Sequence, residues 1–119
     1  MALKKIKKGS SKELLCRKEH EADNWKCVFK SQRVRFGKID FAGLFDCVFV
    51  RGKTKRYVSV KNHNHFQTHP KHQEEIRDYK EKYGTISEEF WLWIWKAGRW
   101  VGRHNNKTWQ EPEWVKIQI

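Results

Sequence analysis

The chain has 119 residues and a formal net charge of +12, with 26 Lys and Arg against 14 Asp and Glu, so it fits one domain whose natural partner is a polyanion. Its three cysteines, Cys16, Cys27 and Cys47, form no Cys-x-x-Cys pair, which argues against a disulfide framework or a four-ligand zinc site and fits thiols in a reducing compartment. No apolar run approaches the ~20 residues a bilayer requires and no signal-peptide pattern opens the chain, so the expectation is a soluble, cytoplasmic protein, in a host cytoplasm if the source is viral.

Residues 1–9 hold four lysines and a glycine and read as a flexible basic arm; residues 10–119 read as the domain. Ser10 to Asp23 reads as a helix. Ser10-Ser11-Lys12-Glu13 fits a capping box, Leu14, Leu15 and Ala22 offer an apolar face, and Asn24 ends it. From Trp25 to Ser31, Trp25, Cys27 and Phe29 alternate with polar neighbours or Val28, the period of a half-buried strand. Arg33 to Leu44 is a basic connection or bent strand. Phe45 to Arg51 and Arg56 to Asn62, rich in Val, Phe and Tyr, read as a hairpin around Gly52-Lys53-Thr54-Lys55.

His63 to His69 is a polar loop. Pro70 suits the first position of a helix that runs to about Tyr83 and stops at Gly84. Phe90 to Trp95 is apolar on both faces, as in a central strand, and Ala97-Gly98 turns it into Arg99 to Val101. Trp114 to Ile119 closes the chain as a strand, with Val115, Ile117 and Ile119 on one face. The whole predicts an α/β domain with a mixed, mostly antiparallel central sheet flanked by two helices.

An acid at the head of one strand, Asp46, and a lysine on its hairpin neighbour, Lys61, can together bind a divalent cation and activate water beside a phosphodiester. Alternation places Ser59 and Lys61, followed by His63 and His65, on one face of their strand, with Val58 and Val60 on the other. Asp40 is a second acid near the motif, either a ligand or a turn residue. Lys4, Lys5, Lys7 and Lys8 of the arm, with Arg33, Arg35, Lys38, His63 and His65, are candidates to grip a nucleic-acid backbone.

The order helix, three strands, helix, strand over about residues 10–95 resembles the PD-(D/E)XK nuclease superfamily, and Gly43-Leu44-Phe45-Asp46-Cys47-Val48 is similar to its small Holliday-junction-resolvase-like and VRR-type members. The resemblance implies a restriction-endonuclease-like fold, order αβββαβ plus C-terminal strands, and a Mg2+- or Mn2+-dependent deoxyribonuclease, endo- or exonucleolytic, with structure selectivity among duplex, junction and single-stranded DNA left open. Ser59 stands where that family usually has Glu, Asp or Gln, two residues before the lysine. A Ser-x-Lys subgroup takes the missing carboxylate from the following helix. Since the twelve residues 62–73 separate Lys61 from Glu74, Glu74 is the first candidate, with Glu75 beside it. The resemblance thus implies Asp46, Glu74 and Glu13 as metal ligands, Lys61 and Ser59 as the remaining motif residues, DNA as substrate and a homodimer as an expected assembly. Glu13 has an equal claim as a capping residue.

Four other readings stay open. The fold can serve DNA binding without catalysis, with Ser59 marking the lost activity. His63-Asn64-His65 invites comparison with HUH nicking endonucleases, for which Tyr79 or Tyr83 would be the nucleophile; alternatively His63, His65, His69 and His72 share a transition metal. Trp91, Trp93, Trp95 and Trp100, interleaved with Lys96, Arg99 and Arg103, either stack on bases or pack as core or dimer interface.

Overall fold

Alternating apolar residues commit the middle of the chain to strands, and two helices cover the sheet they make. The computed structural model describes the backbone of residues 8–35, 37–62 and 68–119, and the side chains of 12–32, 35, 40–62 and 68–119. Helix α1 spans Lys8–Ala22, β1 Lys26–Lys30, β2 Gln32–Val34, β3 Gly37–Ile39, β4 Cys47–Arg51, β5 Thr54–Asn62, α2 Pro70–Tyr83, β6 Glu88–Lys96, β7 Arg99–Arg103, β8 Asn106–Gln110 and β9 Glu113–Gln118.

Five strands form the central sheet in the order β1-β4-β5-β6-β9. The pairings β1 to β4, β4 to β5 and β6 to β9 are antiparallel, while β5 and β6 run parallel across the α2 crossover. The expected α/β architecture and mixed sheet are therefore present. Two further ribbons, β2 with β3 and β7 with β8, stand outside this sheet. No described helix is long and apolar enough to cross a membrane.

Strand alternation divides the core in two. Val48, Tyr57, Phe90, Leu92 and Ile94 face α2 and pack with Phe45 and Ile76, joined by Val115, Ile117 and Ile119. Cys47, Phe49, Val58 and Trp93 face α1 and pack with Cys16 and Trp25. Both faces of β6 are covered, which explains its run of apolar residues. None of the three cysteines is disulfide-bonded, and burial pushes the Cys16 and Cys47 thiols above their ordinary range.

Several boundaries differ from the sequence reading. Helix α1 already includes Lys8 and Gly9, so the Ser10 to Glu13 run lies inside the helix rather than at its cap; capping signals place a terminus only to within a residue or two. In β1 the register slips between Cys27, opposite Phe49, and Phe29, opposite Val48. This bulge sends Cys27 to the α1 side and Phe29 to the α2 side, whereas strict alternation would put them together. The hairpin turn shrinks to Gly52-Lys53, flanked by the Arg51–Thr54 pair; Gly52 has φ +62, the backbone that a two-residue loop of this form demands.

Candidate functional site

Asp46 occupies the bend before β4, where its own main chain joins two strands. Its N–H donates to the Val58 carbonyl at 2.9 Å, and its carbonyl accepts from the Ser31 N–H at 2.8 Å. Because β4 begins one residue later, the next N–H of β5 on that edge has no strand partner. The Asp46 side chain takes that place: Oδ2 accepts from the Val60 N–H at 2.6 Å. The carboxylate is thereby aimed and held, at 4% exposure, beside the Ser59-Val60-Lys61 segment. Asp40 joins from the preceding loop, since the Ser31 hydroxyl donates to Asp40 Oδ1 at 2.6 Å and lies 3.5 Å from Asp46 Oδ1.

The α2 helix supplies the opposing wall. Parallel pairing of β5 and β6 needs a crossover, and α2 starts at the end of the sheet where β5 stops. His69, at φ +50, turns the chain into Pro70 and donates from Nε2 to the Asn62 carbonyl at 3.0 Å. This sets the helix phase. His72 then meets Ser59, with Nε2 and Oγ sharing a 2.6 Å hydrogen bond, and its Nδ1 lies 3.6 Å from Glu75 Oε2. Burial, and after it the Lys61 ammonium, holds the His72 imidazole below its ordinary value, while Glu75 and Asp46 oppose that shift.

Lys61, Thr68, His69, Pro70, Lys71, His72 and Glu75 line an open groove of about 670 Å³. The structure thus gathers Asp46, Ser59, Lys61 and Glu75 around His72. Glu74 and Glu75 are both exposed, and of the two only Glu75 lines the groove. Residues three apart share a helix face, so once His72 sits on Ser59 it is Glu75 that borders the groove. Glu13 approaches from α1, close enough to the head of β4 to act on the Cys47 thiol.

His72 is the member that sequence reasoning placed only in a loose histidine cluster. Its signal was there: it is the first histidine inside the helix opened by Pro70. Of the backbone-gripping candidates, Lys4, Lys5, Lys7, His63 and His65 lie outside the described residues, as do the side chains of Lys8, Arg33 and Lys38, while Arg35 is exposed. Tyr79 packs against Phe45, Tyr57 and Phe90, with ring centroids 5.3, 6.4 and 6.0 Å away. It serves the core. Tyr83 is exposed but ends α2, a helix length of roughly 16 Å from His72 at the 1.5 Å rise per residue.

Among the described residues no group of three or more His, Cys, Asp or Glu side chains is disposed to hold a metal ion. Zinc and calcium sites are normally built from such a group, whereas magnesium is commonly held by one or two carboxylates together with substrate phosphate and water. Asp46 and Glu75 offer hard carboxylate oxygens of the kind that second pattern uses. No protein-family model and no curated protein matches this chain.

Proposed function

We propose that the chain is a metal-dependent nuclease that hydrolyses phosphodiester bonds in DNA. The observation that carries the reading is the buried Asp46 carboxylate fixed on the Val60 N–H, one residue before Lys61, which lines a groove on a strongly basic protein. The sheet adds support, because α1, β1, β4, β5, α2 and β6 follow the order the superfamily resemblance implies.

Asp46 and Glu75 would hold Mg2+ or Mn2+, with water and phosphate oxygens completing its shell. When bound, the ion supplies Lewis-acid polarisation of the phosphoryl group and lowers the pKa of water. The chain's own groups do the rest. Lys61 offers a mobile cation to the scissile phosphate. His72 anchors α2 to β5 through Ser59, which keeps Glu75 turned toward the groove. The +12 charge draws the polyanion in.

The test is cleavage of labelled duplex, single-stranded and four-way-junction DNA with magnesium, manganese or EDTA. Asp46→Asn removes the charge but keeps an acceptor for the Val60 N–H, and it is expected to lower the cleavage rate about 100-fold or more with binding retained. Glu75→Gln is expected to impair cleavage more than Glu74→Gln. Undiminished cutting by Asp46→Asn would sink the assignment. A second reading is favoured by one contact: the Ser59 hydroxyl, 1% exposed, is committed to His72. Tight DNA binding with no cutting under either metal would establish that the site serves recognition alone.

A further inference from the structure

The four tryptophans of the sequence reading do not share one fate. Trp93 is buried, and Trp91 and Trp95 are half-buried under α1, with Trp93 and Trp95 both against Trp114 at 5.4 and 5.0 Å. Trp100 is 64% exposed, and its cross-strand partner Trp109, absent from that set of four, is 43% exposed. Their ring centroids lie 5.4 Å apart on one face of the β7–β8 ribbon. A solvent-facing indole pair is a costly way to end a hairpin that contributes no strand to the central sheet.

Charge says what the pair faces. From Phe90 to Gln110 the chain has no acid, while Lys96, Arg99, Arg103 and Lys107 fall in or beside the ribbon. Register puts Lys107, opposite Gly102, on the tryptophan face, and Arg99 and Arg103 on the other. A second copy of the chain docking here across a two-fold axis would oppose cation to cation. A strand with free base faces and a phosphate backbone matches both the indoles and the charge. Duplex bases, already stacked on each other, offer no such faces.

The ribbon is also rooted in the right place. Lys61 pairs with Ile94 and Asn62 with Trp95, so β6 delivers the ribbon to the same end of the sheet as the groove. Gly98 seals the root: a Cβ there would lie 2.4 Å from Cζ2 of Trp109, so the indole lies directly on the glycine. Trp109 is thus the inner ring and Trp100 the outer one.

We propose that the β7–β8 ribbon binds single-stranded nucleic acid by stacking unpaired bases on Trp100 and Trp109, with Lys107 on the same face holding the phosphate backbone. This makes no use of the nuclease chemistry. The ribbon binds whether or not the groove cuts.

The test measures binding of a fluorescent twenty-nucleotide oligo(dT) and of a duplex of equal length by anisotropy in EDTA, over a range of salt. Trp100→Ala is expected to weaken oligo(dT) binding about tenfold or more, to leave duplex binding unchanged, and to keep the salt slope, because stacking releases no counterions. Trp100→Phe is expected to restore most of the affinity, while Lys107→Ala lowers the slope by about 0.7. Equal affinity of Trp100→Ala for oligo(dT), or an equal loss on duplex, would overturn the proposal. So would a Trp100→Ala variant that changes sedimentation mass without changing DNA binding, which would assign the ribbon to self-association. Failure of the nuclease reading shows separately, as absence of cutting with this binding intact.

Discussion

The two ends of the central sheet differ in their charged groups, with arginines tied into ion pairs at one and lysines facing water at the other. At the end where β4 turns into β5, the two arginines are matched: Arg51 reaches Asp23 at 2.9 Å and Arg56 reaches Glu89 at 2.9 Å, while the Tyr57 hydroxyl donates to Glu88 at 2.6 Å. Arg56 also lies over the Trp25 and Trp91 rings, at 4.2 and 4.8 Å. At the other end, where β5 and β6 finish, the groove and the ribbon hold Lys61, Lys71, Lys96 and Lys107, none of which makes an ion pair among the described residues. Matched charge ties elements together. Charge left to water remains available to a polyanion, so stability and binding divide between the two ends.

The largest expected effect tests the matched end through His20. It is buried between Phe49 and Trp93, with centroids 3.9 and 4.5 Å away, and donates from Nδ1 to the Cys16 carbonyl at 2.8 Å. Burial brings its pKa down to about 4, with Arg56 adding to the shift. In the unfolded chain the imidazole takes its proton near the ordinary 6.5, so between pH 6.5 and 4 the unfolded state binds more protons and stability falls as pH falls. The loss amounts to up to about 3 kcal/mol. Urea unfolding at pH 7 and pH 4.5 should show a steeper drop for the native chain than for His20→Phe, which cannot titrate.

Arg56→Ala comes next. It leaves Glu89 without its cation in a half-buried site and uncovers two indoles, so a destabilisation of about 2 kcal/mol is expected by the same unfolding measurement. The smallest stability effect belongs to Lys71→Ala at the groove, within about 0.5 kcal/mol of the native chain. Its signature is in binding instead, where the log-log salt slope on duplex DNA should fall by about 0.9. A Lys71→Ala variant as destabilised as Arg56→Ala would erase the contrast between the ends.

Much of this was legible before the fold. Proline at 70 and glycine at 84 bracket α2, and the Gly84 N–H closes the helix on the Lys80 carbonyl at 2.8 Å. The hairpin and the doubly covered β6 followed from their apolar patterns. The β8 strand was missed because its residues are all exposed, so Asn106 to Gln110 carry no burial period to read. The choice between Glu74 and Glu75 was equally hidden, since counting residues gives separation along a helix but not its rotation about its axis.

The sequence by itself determined the α/β class, both helices and the β4–β5 hairpin that carries Lys61, because backbone periods and turn chemistry are local. Only the tertiary structure decided which side chains meet: the bulge that splits Cys27 from Phe29, the docking of His72 on Ser59 that sets Glu75 at the groove, and the sorting of the tryptophans into core and ribbon. Those outcomes depend on strand register and helix phase, which are fixed when separate segments pack and are written in no single stretch of the chain.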